Sequence, residues 1–188
     1  MARWQPNASQ RLALAALDLF AERGYENTTV AEIAARAGVT ERTFFRHYGD
    51  KREVLFFGAR MLQDLIVNTI EASPADAAPI DAVRAALEAA GDLLEERRVP
   101  ARQRQAVIAA SAELHERELI KLASLGTAIA GALRARGVQE PVASLTAEAG
   151  IAVFKVAFAR WVDAANAEGL SPLIRDSLVE LRGVTAGE

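Results

Sequence analysis

The chain of 188 residues has no cysteine, which excludes a disulfide framework and thiolate chemistry and suits a reducing compartment. Histidine is nearly as scarce: His47 and His115 are the only two, and they lie far apart in sequence. Neither belongs to an HExxH motif, and no P-loop or GxSxG is present. His115, close to Glu113 and Glu116, reads as a surface group rather than a base or a ligand. Ser111 has no inferable base partner. No catalytic residue, metal ligand or cofactor is therefore assigned, and an enzyme is not expected. No signal peptide and no long uninterrupted apolar run are apparent, so a soluble, cytoplasmic protein without a membrane partner is expected. Strong net charge is lacking too: at −3, the chain is no generic polycation. What is abundant is apolar sequence, 51% of the residues. It is rich in Ala and Leu with few β-branched runs, which favours helix.

One stretch, residues 28–51, organises the rest. Thr29 followed three residues later by Glu32 is a capping box opening a short helix. Val30, Ile33 and Ala34 share one face of it. Gly38 closes that helix, where a positive φ avoids a Cβ clash. Thr40 then caps a second short helix running to about Tyr48. Two short helices around a glycine turn are a helix-turn-helix signature. Phe44 and Tyr48, four apart, share the buried face of the second helix. Glu41, Arg42, Thr43, Arg46 and His47 are left for its other faces. From Arg36 to Arg52 there are five Lys/Arg against two Asp/Glu. Basic and hydroxyl side chains near the start of a short helix are what a major-groove reader needs. Up to Arg60 the chain carries nine Lys/Arg against seven Asp/Glu, and beyond it thirteen against eighteen, an asymmetry that suits a head meeting phosphates on a body that does not.

The residues Phe20-Ala21-Glu22-Arg23-Gly24-Tyr25, Thr28-Thr29-Val30, Ile33-Ala34, Ala37-Gly38-Val39-Thr40, Arg42-Thr43-Phe44-Phe45-Arg46 and Asp50-Lys51 resemble the N-terminal domain of the TetR family of transcriptional regulators. That resemblance implies an all-α homodimer with a three-helix DNA-binding head, residues 1–50. A helical effector-binding and dimerisation body, residues 51–188, would follow. It also implies a ligand-responsive repressor that binds a near-palindromic double-stranded DNA operator. The candidate DNA contacts are Thr29, Arg36, Thr40, Arg42, Thr43, Phe45, Arg46, His47 and Lys51. Arg42 sits where a guanine edge is in reach. Lys51 sits in the first turn of a helix, where exposed N–H groups and an ammonium can meet one phosphate. Phe45 stands where the family usually has a tyrosine that touches a phosphate, so here only an apolar contact is available. Tyr48 stands where phenylalanine is usual and is expected to pack. Arg3, in the six residues before the first helix, is a weaker candidate for a minor-groove arm.

Along the rest of the chain, Asn7 with Gln10 caps a first helix whose inward stripe is expected at Leu14, Leu17, Phe20 and Ala21. Asp50 with Glu53 opens a continuous helix from Lys51 to about Ala72, a lever between head and body. Further helices are expected at about 80–98, 102–114, 116–136 and 141–167, with Pro100 as an interruption and Ser171-Pro172 capping a last one. Gly126 and Gly131 are candidates for a close helix approach. The helix after Pro141 is apolar almost all round, so it faces the body's core on one side and a second copy on the other. Arg97, Arg98, Arg102 and Arg104 cluster around Pro100; such a cluster is ordinarily solvated or paired, or else greets an anionic effector. The stretch 104–122, the small-residue helix ending at Gly137, and Trp161 resemble a TetR subgroup whose C-terminal domain binds acyl-CoA-like ligands. Met61, Leu65, Ile108, Leu122, Phe154, Phe158 and Trp161 are accordingly the candidate lining for a small apolar or amphipathic effector. The rival from another class is a helical lipid- or acyl-binding protein, or an enzyme, with a purely structural helix-turn-helix.

Overall fold

A computed structural model describes residues 7–187; Arg3 lies outside them. Among the described residues there is no strand, and the helices are α1 Ala8–Arg23, α2 Val30–Arg36, α3 Glu41–His47, a 3₁₀ helix Arg52–Phe56, α4 Ala59–Glu71, α5 Pro79–Glu95, α6 Arg98–Ala109, α7 Ala112–Ala135, α8 Val142–Val162 and α9 Leu170–Ala186. They form two compact units. One takes the residues up to Ala59 and also Gln103–Glu118; the other takes Arg60–Arg102 and the chain from Leu119 onward. The first unit thus draws on two separate stretches of the chain. The reason is apolar burial: Val54, Leu55 and Phe56, and Val107, Ile108 and Leu114, are buried in the same cluster as Leu12, Phe20, Ile33 and Phe44.

In the first unit, local chemistry sets the helix ends. The Asn7 carboxamide oxygen accepts from the Gln10 N–H at 2.9 Å. Gly24, at φ 84°, receives the chain after α1. The capping box at Thr29 and Glu32 forms with both of its hydrogen bonds. After α2, the Val39 N–H donates to the Ala34 carbonyl and the Gly38 N–H to the Ala35 carbonyl, a Schellman closure with Gly38 at φ 66°. The inward stripe of α1 is Leu12, Ala15, Ala16, Leu19 and Phe20, with Leu17 also buried. Leu14 is 49% exposed and Ala21 is exposed as well. These two are seven apart, so they share a face, and it is the outer one.

The expected continuous helix from Lys51 to Ala72 is broken. Asp50 accepts from the backbone N–H groups of Arg52 and Glu53, and its contact with the Arg52 guanidinium holds its carboxyl below the usual range. The 3₁₀ helix ends at an extended Phe57, and Gly58 at φ 88° turns the chain before α4 starts. Polar contacts join this segment to the α6–α7 part of the same unit. The Arg104 guanidinium donates to the Leu55 carbonyl at 2.8 Å and to Glu118, and lies 5.0 Å over the Phe56 ring. Burial pushes Arg104 below its ordinary pKa, opposed by Glu118. Glu53 pairs with Arg117, and Arg52 with Glu113.

The second unit is built on the mutual packing of α5, α8 and α9. Pro100 lies in the first turn of α6 instead of interrupting a helix; there its missing N–H has no intrahelical partner to lose. α8 is long and apolar enough to cross a membrane by length and composition, although Glu148, Lys155 and Arg160 interrupt its apolar sequence. Its inner face, Ala143, Ala147, Gly150, Phe154, Ala157 and Trp161, is buried in the unit's core. Close helix approach occurs at Gly150, not at Gly126 or Gly131. A Cβ on Gly150 would lie 2.6 Å from Val83 Cγ1, whereas at Gly126 the nearest atoms are at 3.4 Å and at Gly131 at 3.9 Å. Val83 is fully packed and β-branched, so it cannot swing aside. Gly150→Ala is expected to cost about 1–3 kcal/mol in urea unfolding. Adding Val83→Ala should make the pair less than additive.

Candidate nucleic-acid interface

The rotation of α3 about its own axis is fixed from within. Phe44 is completely buried, and its ring stands 5.5 Å from that of Tyr48. The Tyr48 hydroxyl donates to the Ser9 carbonyl at 2.8 Å, and burial pushes its pKa up to about 12. Tyr48 is thus a tether between the end of α3 and the start of α1 as well as a packing residue. With positions 44 and 48 inward, Glu41, Arg42, Phe45, Arg46 and His47 are exposed.

The sequence candidates divide into two sets. Arg42 and Arg46 engage no other described residue, so two guanidiniums four apart stand ready on one face of α3. Phe45 beside them is 55% exposed. His47 has a ring contact with Tyr48 at 6.5 Å. Thr40 caps α3, accepting from the Thr43 N–H at 3.2 Å, and the hydroxyls of Thr40 and Thr43 lie 3.1 Å apart. The second set is engaged internally. The Thr29 backbone N–H and hydroxyl both donate to Glu32 at 2.8 Å. These bonds, with help from Arg23, hold the Glu32 carboxyl below the usual range. The Arg36 guanidinium makes a two-pronged pair with Glu22, both contacts at 3.1 Å. Both partners are well exposed, so the pair contributes little to stability and can open to a better anion.

Lys51 has a role its sequence position does not reveal. Its ammonium donates to the carbonyls of Tyr25 at 2.8 Å and Thr28 at 3.0 Å and sits 4.0 Å above the Tyr25 ring. It fastens the loop between α1 and α2. An ammonium has three donors, so one remains for an anion. The Thr28 hydroxyl, buried in the same loop, donates to the Gly24 carbonyl at 2.9 Å.

The seven effector candidates divide between the two units. Ile108 is buried in the first unit's core. The other six belong to the second unit: Phe154 and Trp161 are buried there, Leu65, Leu122 and Phe158 are half-buried, and Met61 is 49% exposed. Phe154, Phe158 and Trp161 form a ladder along α8, with ring centroids 5.7 and 5.5 Å apart. Trp161 is held by its indole N–H, which donates to Glu95 at 3.1 Å; the same carboxylate oxygen accepts the Leu170 N–H at 3.0 Å. Two arginines of the cluster cap α8. Arg98 donates to the carbonyls of Trp161 and Asn166, and Arg102 to those of Val162 and Asp163. The carbonyls of Trp161, Val162 and Asp163 are those at a helix C-terminus, where cations are favoured, and that of Asn166 lies in the turn beyond it. The sequence shows the cluster but not the carbonyls that occupy it. Among the described residues, a recess of about 150 Å³ lies beside Tyr25, Val107 and Ser111 and another of about 10 Å³ beside Val83 and Gly150, and none of the seven residues lines either of these.

The family profile of bacterial regulatory proteins of the tetR family matches residues 13–56, and that of the MftR C-terminal domain matches residues 77–186. The chain is similar to the HTH-type transcriptional regulator TcmR of Streptomyces glaucescens, 39% identical over 74 residues, which span 39% of this chain and 33% of that protein. Its fold resembles that of Thermus thermophilus FadR, a TetR family transcriptional repressor solved with lauroyl-CoA (21% identity, TM-score 0.57, 93% of each chain). It also resembles Bacillus subtilis FadR solved with stearoyl-CoA (19% identity, TM-score 0.62, 92% of this chain and 96% of that one). The two profiles, matched over residues 13–56 and 77–186, the first of them spanning the α3 face, place the chain in the TetR family as a DNA-binding transcriptional regulator.

Proposed function

We propose that this regulator is a cytoplasmic homodimeric repressor that binds a near-palindromic operator and releases it when an amphipathic effector occupies its C-terminal body. It has no catalytic step of its own. Residues 1–50, joined by Lys51, carry the DNA contacts, and the remainder of 51–188 carries the effector and the dimer. The observation that carries the DNA part is the pair of guanidiniums, Arg42 and Arg46, that engage no other described residue and stand on the exposed face of a buried-anchored α3. Arg42 reads a guanine edge. Arg46, Thr43, Phe45 and His47 belong to the same surface, Thr40 and Thr29 hold the helix starts, and Arg36 and the free donor of Lys51 meet phosphates.

An exposed apolar stripe supports the dimer. Val142, Leu145 and Val156 on α8 are 50–67% exposed, and with Ala152 they recur at helical spacing along one face. On α9, Val179 and Val184 are 66% and 75% exposed. A second copy covering these residues would remove them from water. A two-fold dimer places its two α3 helices in successive major grooves about 34–36 Å apart, so a small change in their separation spoils simultaneous docking.

For the effector, the apolar supply around Phe154, Phe158 and Trp161, and the acyl-CoA ligands of proteins with this fold, favour a fatty acyl-CoA. A switch from mostly competent to mostly incompetent needs a differential affinity of about 10⁴-fold between the two states. A long acyl chain supplies ~0.8 kcal/mol per buried CH₂, of which only the part that differs between states counts.

In binding measurements on an operator selected from random duplexes, Arg42→Ala is expected to cost ~1–3 kcal/mol and to relax preference at one position per half-site. Unchanged affinity and sequence preference would remove Arg42 as a reader. Lys51→Met should do two things at once. It should lower unfolding stability by about 1–3 kcal/mol, because two carbonyls lose their donor. It should also reduce the salt slope of DNA binding by about 2 per dimer. A stability loss with an unchanged salt slope would make Lys51 a loop fastener alone. Titrating the protein–operator complex with acyl-CoAs of increasing length, while following Trp161 fluorescence, tests the effector. DNA release that strengthens with chain length is expected. Binding without release would refute the switch, and no binding at any length would refute the ligand class.

A further inference from the structure

Phe45 is 55% exposed, and its ring meets that of Phe44 edge-on, with centroids 5.4 Å apart and planes at 80°. Residues three and four apart on a helix share a face. Arg42, Phe45 and Arg46 therefore form one surface, an apolar ring flanked by two guanidiniums that engage no other described residue. Exposed arginines are ordinary. The aromatic ring between them is what burial against a partner would remove from water, recovering hydrophobic free energy. Phenylalanine also has no donor with which to hold a phosphate. In a major groove, base edges present donors and acceptors and one apolar group, the C5-methyl of thymine. The edge-on contact with fully buried Phe44 further limits where the Phe45 ring can go, so it is placed as a rigid apolar probe beside two donor forks.

We infer that Phe45 is a specificity-determining residue that recognises the 5-methyl group of a thymine within about one or two base pairs of the base read by Arg42, since three helical residues rise ~4.5 Å. This rests on the DNA-binding reading of α3 and names a chemical group that this reading leaves open. The pattern it implies is a guanine and a thymine close together in each half-site, the guanine held by a guanidinium and the thymine by its methyl group.

The experiment removes the methyl group and nothing else. The preferred duplex is first selected from a random pool with the full chain. Each symmetric pair of thymines is then replaced in turn by deoxyuridine. For the unaltered protein, one pair should weaken binding by roughly fourfold per half-site, the value of burying one methyl-sized group. Phe45→Ala should bind the thymine duplex more weakly and be indifferent to deoxyuridine at that pair. Phe45→Leu, which keeps an apolar side chain, should retain the sensitivity. Because Phe45 is exposed, these variants are expected to fold. Indifference of the unaltered protein at every thymine overturns the inference, as does full deoxyuridine sensitivity in Phe45→Ala. In either case an Arg42-dependent sequence preference would leave the DNA-binding reading standing. Absence of any sequence-selective binding would instead overturn that reading, and this inference with it.

Discussion

The complete burial of Phe44 is the constraint on which the candidate interface depends. α3 has only seven residues, too few to hold a helix by propensity alone. It exists because Phe44 and Tyr48 insert into the cluster that contains Leu12, Phe20 and Ile33, and because Thr40 caps its start. Once those two rings are inside, helical geometry turns Arg42, Phe45 and Arg46 outward. The polar surface is therefore a consequence of where the apolar anchors sit. The Tyr48–Ser9 hydrogen bond and the Lys51 clamp on the Tyr25–Thr28 loop add directional restraints to a non-directional apolar seat.

The features legible in the sequence are those that act over a few residues. Asn7, Gly24, Thr29 with Glu32, Gly38 and Thr40 all cap or close helices where the sequence places them, because each satisfies an N–H or adopts a φ within its own turn. What was not legible depends on partners distant in the chain. Leu14 and Leu12 are equally apolar, and only the packing of α2 and α3 decides that Leu12 faces inward. Gly58 lies inside a run that reads as one helix, yet its positive φ breaks it. Gly126 and Gly150 are alike as letters, but only Gly150 has Val83 against it, from a helix more than sixty residues earlier. The carbonyls that engage Lys51, Arg98, Arg102 and Arg104 leave no mark in a sequence, since every residue has one.

That last point governs how the basic residues are weighed. Counted by letter, Arg36, Lys51, Arg98, Arg102 and Arg104 look as available to an anion as Arg42 and Arg46. In the structure the first five are already engaged by a carboxylate, by backbone carbonyls or, for Arg104, by both. Arg98 and Arg102 complete the end of α8 beside Trp161, itself pinned by Glu95. The same carboxylate holds the start of α9, so Trp161, the α8 terminus and the α9 start form one polar hub at the edge of the apolar core. This makes Trp161 a well-placed reporter of change in the second unit. On α3, by contrast, Arg42 and Arg46 engage no other described residue.

The most direct test of the central claim, that the outward face of α3 reads DNA, is backbone amide NMR of the full chain titrated with its selected operator duplex. The account predicts that the largest sequence-dependent shifts fall on Thr40 to His47, with smaller, sequence-independent shifts near Arg36 and Lys51. Shifts that are the same for operator and unrelated duplexes throughout α3, or that centre on α8 and α9 instead, would contradict it.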